Sequence, residues 1–548
     1  MTLDIYRTKE KLFKNMKLEL LDCTLRDGGY INDWEFGHDT LVNVFERVCA
    51  SGVEFIELGF LDDRRTFDIN RSIMPDTADM EKIYGGLPKG NTKLMGMIDF
   101  GTCSIDHIQP CSESILDGIR VIFKKHLREP AMAFCKQLKD KGYIVFSQLV
   151  SVTSYEDDEM MDLIRLANEV KPYAVSMVDT YGLMHKNILF HYYDMLNKNL
   201  DPSIAVGYHA HNNFQLGYSN CIEMMERHKG CERPILCDGT LYGMGKSAGN
   251  APSELLAMYM NANFGKHYDI GMMLEAIDSS LMDIFKVTPW GYTMKFFIAA
   301  SNDCHPNYVS YLLDKKTLPI KSINEILKGL KGDKKLLYDK NLIEQLYLEY
   351  QQNQCEDSAA YKKLTEELSG KPILVLGPGS SIVEESEKIS EFVTEKEPII
   401  IAINYCPSTW KPDYLFLTNY KRYIQMASTI AADREAYKLI ATSNITRASG
   451  EFDYKLDYES LIDRNATFMD NSLLMLLRAL DKAGVKEVNL AGFDGYSIDK
   501  ESNYFSSKME YEFSKQKGEE INADVNKFLS EIKESLSVHF LTHTEYKA

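Results

Sequence analysis

The sequence lacks a run of 18 apolar residues, a CxxC pair and any excess of positive charge, and each absence removes a class of protein. Sixty-two Lys and Arg against 80 Asp and Glu leave a formal charge of −18. The resulting field repels phosphate and disfavours nucleic acid and anionic membrane surfaces as partners. Without a long apolar run no membrane span is expected. The first twenty residues, MTLDIYRTKEKLFKNMKLEL, are broken by charges where a secretion signal would be continuously apolar, so a cytoplasmic location is expected. The 11 cysteines are scattered, as suits reduced thiols rather than a disulfide framework or a zinc site.

What is present is core material. Hydrophobic residues make up 45% and charged residues 26% of 548, enough for two or three globular domains, one of which could be a barrel of roughly 250 residues. Strand-like runs at Leu18–Cys23, Val53–Phe60, Lys93–Asp99, Gly118–Phe123, Tyr143–Leu149, Tyr173–Val178, Ile204–Tyr208 and Pro234–Cys237 alternate with amphipathic stretches such as Asp39–Ser51, Pro130–Lys141, Asp157–Val170 and Asn213–His228. Eight strand–helix units predict an α/β fold with a parallel sheet closed as a (β/α)8, or TIM, barrel; an open doubly wound sheet is the alternative.

In such barrels the chemistry lies at the carboxyl ends of the strands. The first strand runs into Leu20–Tyr30, LLDCTLRDGGY, so Arg26 and Asp27 stand where a buried strand stops at Gly28-Gly29. An isolated Arg-Asp pair is commonly structural. The seventh strand, however, ends in His209-Ala210-His211-Asn212-Asn213. Residues two apart in extended chain point the same way, so both imidazoles can face one ion. Closure brings strand one within two strands of strand seven, at ~4.8 Å per strand, and Asp27 can complete the set. Two histidines and a carboxylate leave coordination positions open for an oxygen-bearing substrate.

Asp22–Gly28 (DCTLRDG), Glu57 in IELGF, His209–Asn213 (HAHNN) and Asp238–Pro252 (DGTLYGMGKSAGNAP) together resemble the DRE-TIM metallolyases, and most nearly the HMGL-like, 4-hydroxy-2-oxovalerate aldolase branch, over about residues 15–330. The resemblance implies a divalent cation, Mn or Mg, on Asp27, His209 and His211, with Asn250 as a further ligand. It also implies Arg26 steadying an enolate of pyruvate, Glu57 orienting that arginine, a small 2-oxo acid as substrate and a homo-oligomer. Asp179, after the sixth strand, is a candidate to shape the substrate site or to cap a helix. Gly243 and Gly245, with Gly249, are candidates to bring backbone N–H groups to an anionic substrate, or are simple turn formers. Two departures from the family stand out. Tyr30 occupies the position of the aldolases' histidine base, and its pKa near 10 suits that work poorly; His38, Asp33, Tyr181 and Tyr292 are other proton carriers. The loop Gly243–Gly249 lacks the reactive cysteine of HMG-CoA lyases, which disfavours that activity.

The domain division expected is a barrel over 1–265, a helical extension over 266–350 including Asn307–Leu313 and Ile323–Leu330, a polar linker or exposed helix over 351–370, and a second, open α/β (Rossmann-like) domain over 371–548. The last begins with a strand entering Gly377-Pro378-Gly379-Ser380-Ser381. Gly377, Gly379 and Ser380 could cradle the phosphate of a nucleotide, or form only a tight turn, since the spacing is not G-x-G-x-x-G. With Val488–Gly495 this stretch faintly resembles sialyltransferase-type and pterin-kinase-like domains. Three functions stay open: a metal-dependent carbon–carbon lyase (aldolase), a Claisen-type acyl-CoA condensing enzyme on the same scaffold, and a nucleotide- or nucleotide-sugar-binding protein.

Overall fold

A computed structural model describes residues 16–547 apart from 316–317, 319, 336–337, 352–354, 446–451, 467, 498–502 and 506–516. Most of the charged amino-terminal stretch read above therefore lies outside the described residues. The chain divides into two compact units, Met1–Pro306 and Asn307–Ala548.

The first unit is a closed barrel. Strands β1 (Leu18–Asp22), β2 (Phe55–Leu61), β3 (Lys93–Asp99), β4 (Gly118–Phe123), β5 (Ile144–Leu149), β6 (Ala174–Asp179), β7 (Ala205–Ala210) and β8 (Ile235–Gly239) follow one another around a parallel ring in the order β1-β8-β7-β6-β5-β4-β3-β2. Pairing of Leu21 with Phe55 and Asp22 with Ile56 closes it, which excludes the open sheet. Helices cover the outside through apolar stripes spaced three and four residues apart. Helix α1 (His38–Ala50) buries Leu41, Val44, Phe45 and Val48; α2 (Asp157–Val170) buries Met160, Leu163, Ile164 and Ala167 behind a capping box made by Glu156 and Glu159.

Strand alternation sorts the interior into layers. Leu21, Phe55, Met95, Phe146, Ala174, Ala205 and Leu236 form an apolar plug. Two residues further along most of the strands, the same inward face carries Glu57, Arg120, Gln148, Ser176 and Asp238, all buried. Gly207 falls in this layer because a Cβ there would lie 2.2 Å from Ser176 Oγ. The barrel is thus filled with hydrocarbon at one end and with charge at the other. Strand β7 also runs two residues beyond the expected Tyr208, since its pairing with β6 continues through Val178–His209 and Asp179–Ala210. That puts His209 on the strand itself.

The second unit holds seven parallel strands: β9 (Ile373–Leu376), β10 (Ile399–Ile403), β11 (Tyr414–Leu417), β12 (Lys438–Thr442), β13 (Tyr454–Leu456), β14 (Glu487–Ala491) and β15 (Ser537–Phe540), ordered β13-β12-β11-β10-β9-β14-β15. Alternate residues of β9 enter two cores, Ile373 and Val375 on one face, Leu374 and Leu376 on the other, as a sheet covered on both sides requires. The order reverses between β9 and β14.

Two of the expected segments take definite form in the structure. The presumed extension over 266–350 divides at Pro306 between the two units. The segment 351–370, expected as a polar linker or an exposed helix, contains helix α3 (Ser358–Leu368), whose Leu364 and Leu368, four residues apart, share the core of Ile373 and Val375. Its Glu367 accepts hydrogen bonds from Tyr454 Oη at 2.6 Å and Lys438 Nζ at 2.7 Å. The polar composition reflects one solvated face; the apolar face was too narrow to stand out. Among the described residues no helix is long and apolar enough to cross a membrane, and all the cysteines are free.

If α3 belongs to this core, Leu364→Ala should lower stability by about 2–5 kcal/mol in urea unfolding. A midpoint equal to wild type would return the segment to linker status.

Candidate active site

The site is built where β1 ends. After Asp22 the chain turns into one helical turn, Thr24–Asp27, and a 3-10 turn, Gly28–Tyr30. Arg26 and Asp27 therefore project from a helical turn and not from extended chain. Gly29 is fixed by contact, because a Cβ would lie 2.0 Å from the Trp34 ring. Trp34 in turn donates its indole N–H to the Arg26 carbonyl at 2.8 Å. Thr24 Oγ1 accepts from the Leu241 amide at 2.8 Å, which ties this turn to the loop after β8.

Arg26 is 3% exposed. Its Nε donates to Glu57 Oε2 at 2.8 Å and its guanidinium also pairs with Asp27. Glu57 lies 3.1 Å from Arg120 Nη1, Arg120 bonds Asp238, and Asp238 faces His209 Nδ1 at 2.9 Å. His209 Nε2 stands 3.2 Å from Asp27 Oδ2, and His211 Nε2 3.9 Å from Asp27 Oδ1. A chain of alternating charge thus runs through the barrel from Arg26 and returns to Asp27.

The ligand atoms of Asp27, His209 and His211 lie within 4.8 Å of one another, all buried. Bonds of roughly 2.0–2.2 Å to one cation need such a spacing. Orphaned atoms complete the fit. His211 Nδ1 is bonded to the Asp179 carbonyl at 2.9 Å, leaving Nε2 a lone pair, and that atom has no partner; neither does Oδ1 or Nδ2 of Asn250. Asn250 is bridged to His211 through the backbone. A Cβ on Gly245 would lie 2.5 Å from Asn250 Nδ2 and 2.8 Å from Asp27 Oδ1, so both side chains converge on that glycine. Buried polar atoms left unpaired are costly, and a cation would satisfy them.

The electrostatics of Asp27 and His211 agree with a ligand set. Burial acts to raise the Asp27 carboxyl, but Arg26 and the two histidines outweigh it and hold the group well below the usual carboxylate range. Burial, against the pull of Asp27, pushes His211 down to about 3; it is neutral and ready to coordinate. His209 is raised, because bonds to Asp238 and Asp27 overcome the effect of burial.

The remaining expected residues separate from this cluster. Both Asp179 oxygens accept backbone N–H groups, of Leu183 at 2.9 Å and Met184 at 3.1 Å; the side chain fixes its own loop, and only its carbonyl reaches the site, through His211. Gly243 adopts a left-handed φ of 64° in the loop after β8. Tyr30 is 41% exposed, and desolvation pushes its phenol well above its ordinary value. Of the other proton carriers, Asp33 pairs with Arg71 at 2.7 Å and His38 lies beside Asp39 at 3.6 Å; burial raises Tyr181, and Tyr292 is exposed. Arg120 was missed: a lone arginine mid-strand reads as an outward residue, although its place two residues after Gly118, in register with inward Phe146, marks it as inward. Asp238 was visible as the first residue of DGTLYG but carried no assigned role.

The HMGL-like family profile matches residues 17–280. Residues 17–280 are an HMGL-like domain. The chain is 27% identical over 253 residues to 2-isopropylmalate synthase from Saccharolobus solfataricus, covering 45% of this chain and 64% of that one. It is 25% identical over 284 residues to oxaloacetate decarboxylase from Mycobacterium tuberculosis, covering 50% and 81%. To 4-hydroxy-2-oxovalerate aldolase from Marinomonas sp. it is 24% identical over 256 residues, covering 45% and 71%. These three relatives are named for different reactions, so they narrow the scaffold and not the substrate.

In the second unit the glycine turn after β9 differs from a phosphate cradle. Ser380 Oγ and the Ser381 amide donate to Asp494 Oδ2 at 3.0 and 2.9 Å. A Cβ at Gly377 would lie 2.5 Å from the Gly492 carbonyl, and one at Gly379 2.6 Å from Asp494 Oδ1. The glycines and serines receive the loop after β14, and a carboxylate already fills the anion position. Beside it, at the carboxyl ends of the strands where their order reverses, is a cavity of about 180 Å³ lined by residues including Asn404, Asn419, Arg422, Asn471 and Tyr504.

Two substitutions test this arrangement. Gly245→Ala should abolish metal retention, read by elemental analysis, while leaving the circular dichroism of the fold intact. Arg120→Met strands Glu57 and Asp238 and should cost about 3–5 kcal/mol in denaturation; a loss under about 1 kcal/mol would mean the pairs are not coupled.

Proposed function

We propose that the barrel is a divalent-metal-dependent carbon–carbon lyase, an aldolase acting on a 4-hydroxy-2-oxo acid or a related 2-oxo acid through the enolate of pyruvate. The observation that carries this reading is the set of unpaired, buried atoms of His211 and Asn250 beside Asp27 and His209, with Arg26 at hand. Asp27, His209, His211 and Asn250 would hold Mn or Mg, which when bound supplies a Lewis acid for the substrate oxygen.

The chain's own groups do the rest. Cleaving or forming a carbon–carbon bond next to a ketone puts negative charge on the ketone oxygen, and a preorganised cation in a dry site lowers the energy of that state. Arg26 is permanently charged and planar, and Glu57 fixes its rotamer. Arg120 and Asp238 act through their neighbours, holding Glu57 and His209 in position. Burial pushes the Tyr30 phenol above its ordinary value, so it is poorly suited to be the base that cleavage requires. Bond formation with an acyl-CoA in the Claisen manner also needs a base to take the α-proton; the similarity to 2-isopropylmalate synthase supports it as a second reading, for which a CoA requirement in turnover is diagnostic.

Asp27→Ala and His209→Ala should each lose the metal; normal content in both would refute the ligand assignment. Arg26→Lys should keep it and slow deuterium exchange into the methyl group of pyruvate by about 100-fold or more. Exchange at the wild-type rate would remove the arginine from the reaction.

For the second unit we infer a nucleotide or nucleotide-sugar site in the cavity at the strand-order reversal, the position where open parallel sheets take ligands. Calorimetry with nucleoside monophosphates should give one site per chain, weakened in Arg422→Gln; no heat with any of the four would end this reading.

A further inference from the structure

The loop that closes over the barrel mouth carries a cation that the ligand set does not use. Lys246 follows Gly245, and its backbone N–H donates to Asp27 Oδ1 at 2.8 Å. Two residues on, the Ala248 amide donates to Asn213 Oδ1 at 3.0 Å, and between them Ser247 is held at a left-handed φ of 62°. The loop is therefore anchored on Asp27 at one end and on the HAHNN segment at the other. A non-glycine residue in that backbone region costs free energy and persists only where its surroundings impose it.

The side chain of Lys246 is part-buried. Its Nζ lies 5.2 Å from the centre of the Tyr30 ring, and Tyr30 packs edge-on against Trp34 and Phe60. Arg26, which sits 5.7 Å from the centre of that same Phe60 ring, is paired with Glu57 and Asp27. Among the described residues Lys246 has no carboxylate within ion-pair distance. An aromatic face returns only part of the free energy an ammonium loses on leaving water. The mouth thus offers a partly desolvated positive charge with no direct carboxylate partner, acted on only at longer range by Asp27 and Asp99, one residue from the point where Asp27 and Asn250 converge.

We propose that Lys246 is the seat for the carboxylate of the 2-oxo acid, so that the site selects an anionic substrate by a side chain separate from the enolate-stabilising Arg26. This rests on the barrel reading above. Lys246 would bind and orient, with the reacting ketone turned toward Arg26 and the carboxylate toward the loop. The competing role is structural, a lysine that merely pins the Tyr30 ring.

The test compares pyruvate with its neutral amide, pyruvamide, by titration calorimetry on the metal-loaded full chain, using wild type, Lys246→Gln and Lys246→Arg. Metal content and thermal midpoint are measured on each. The expected result is a tenfold or greater rise in the pyruvate Kd for Lys246→Gln, a smaller one for Lys246→Arg, and no change for pyruvamide. An unchanged pyruvate Kd in Lys246→Gln overturns the proposal, as does an equal loss for the amide, which would mark a structural lysine. If wild type itself retains metal but binds no pyruvate, the 2-oxo acid reading fails and this inference falls with it; binding by wild type with no effect of Lys246→Gln refutes the lysine alone.

Discussion

Everything in the barrel mouth depends on one buried sequence of opposite charges. Arg26, Glu57, Arg120, Asp238, His209 and Asp27 are each almost wholly removed from solvent, where an isolated charge would be prohibitive. They are tolerated because each meets its opposite. Counting three carboxylates against two guanidiniums leaves one negative charge uncompensated, and that deficit falls on the Asp27 side, next to two imidazoles. A cation is what such a ring lacks. The upward shift of His209 is the same negative charge seen from the imidazole's side, since its bonds to Asp238 and Asp27 overcome burial.

The layered interior explains how an ordinary strand pattern supports this. The apolar plug around Leu21, Phe55 and Phe146 supplies the burial that holds the ring of strands together. One step along, the inward positions carry the network. No extra element is needed, since the period of two in each strand brings Glu57, Arg120 and Asp238 to a common level.

Most of this was legible in the sequence. Eight apolar runs located the strands to within about two residues, because each run is buried on both faces and bounded by polar residues. His209, His211 and Asp27 could be brought together on spacing and closure alone. The failures have physical causes. Arg120 looks like a surface residue unless its inward register is known, and register is a property of eight strands at once. Lys246 reads as one charge in a glycine loop, and its situation follows only from how closely Gly245 approaches Asp27. Helix α3 was one of two readings of its polar segment, and the sequence did not decide between them because only two leucines, Leu364 and Leu368, seat it. The glycine turn after β9 looked like an anion cradle because a sequence cannot reveal that Asp494, more than a hundred residues later, occupies the place.

The joint between β1 and β2 is the narrowest in the ring. Two residue pairs join them, against five between β1 and β8, and next to it the Leu20 amide is satisfied by the Glu54 carboxylate at 2.9 Å in place of a backbone carbonyl. The turn bearing Arg26 and Asp27 springs from this joint, while Glu57 stands on its other side. The ring's least-stitched seam is therefore also the hinge line between the arginine and its orienting carboxylate. A slight parting there would disarm the charge network while the other seven joints stayed shut, so the barrel can lose its chemistry long before it loses its shape.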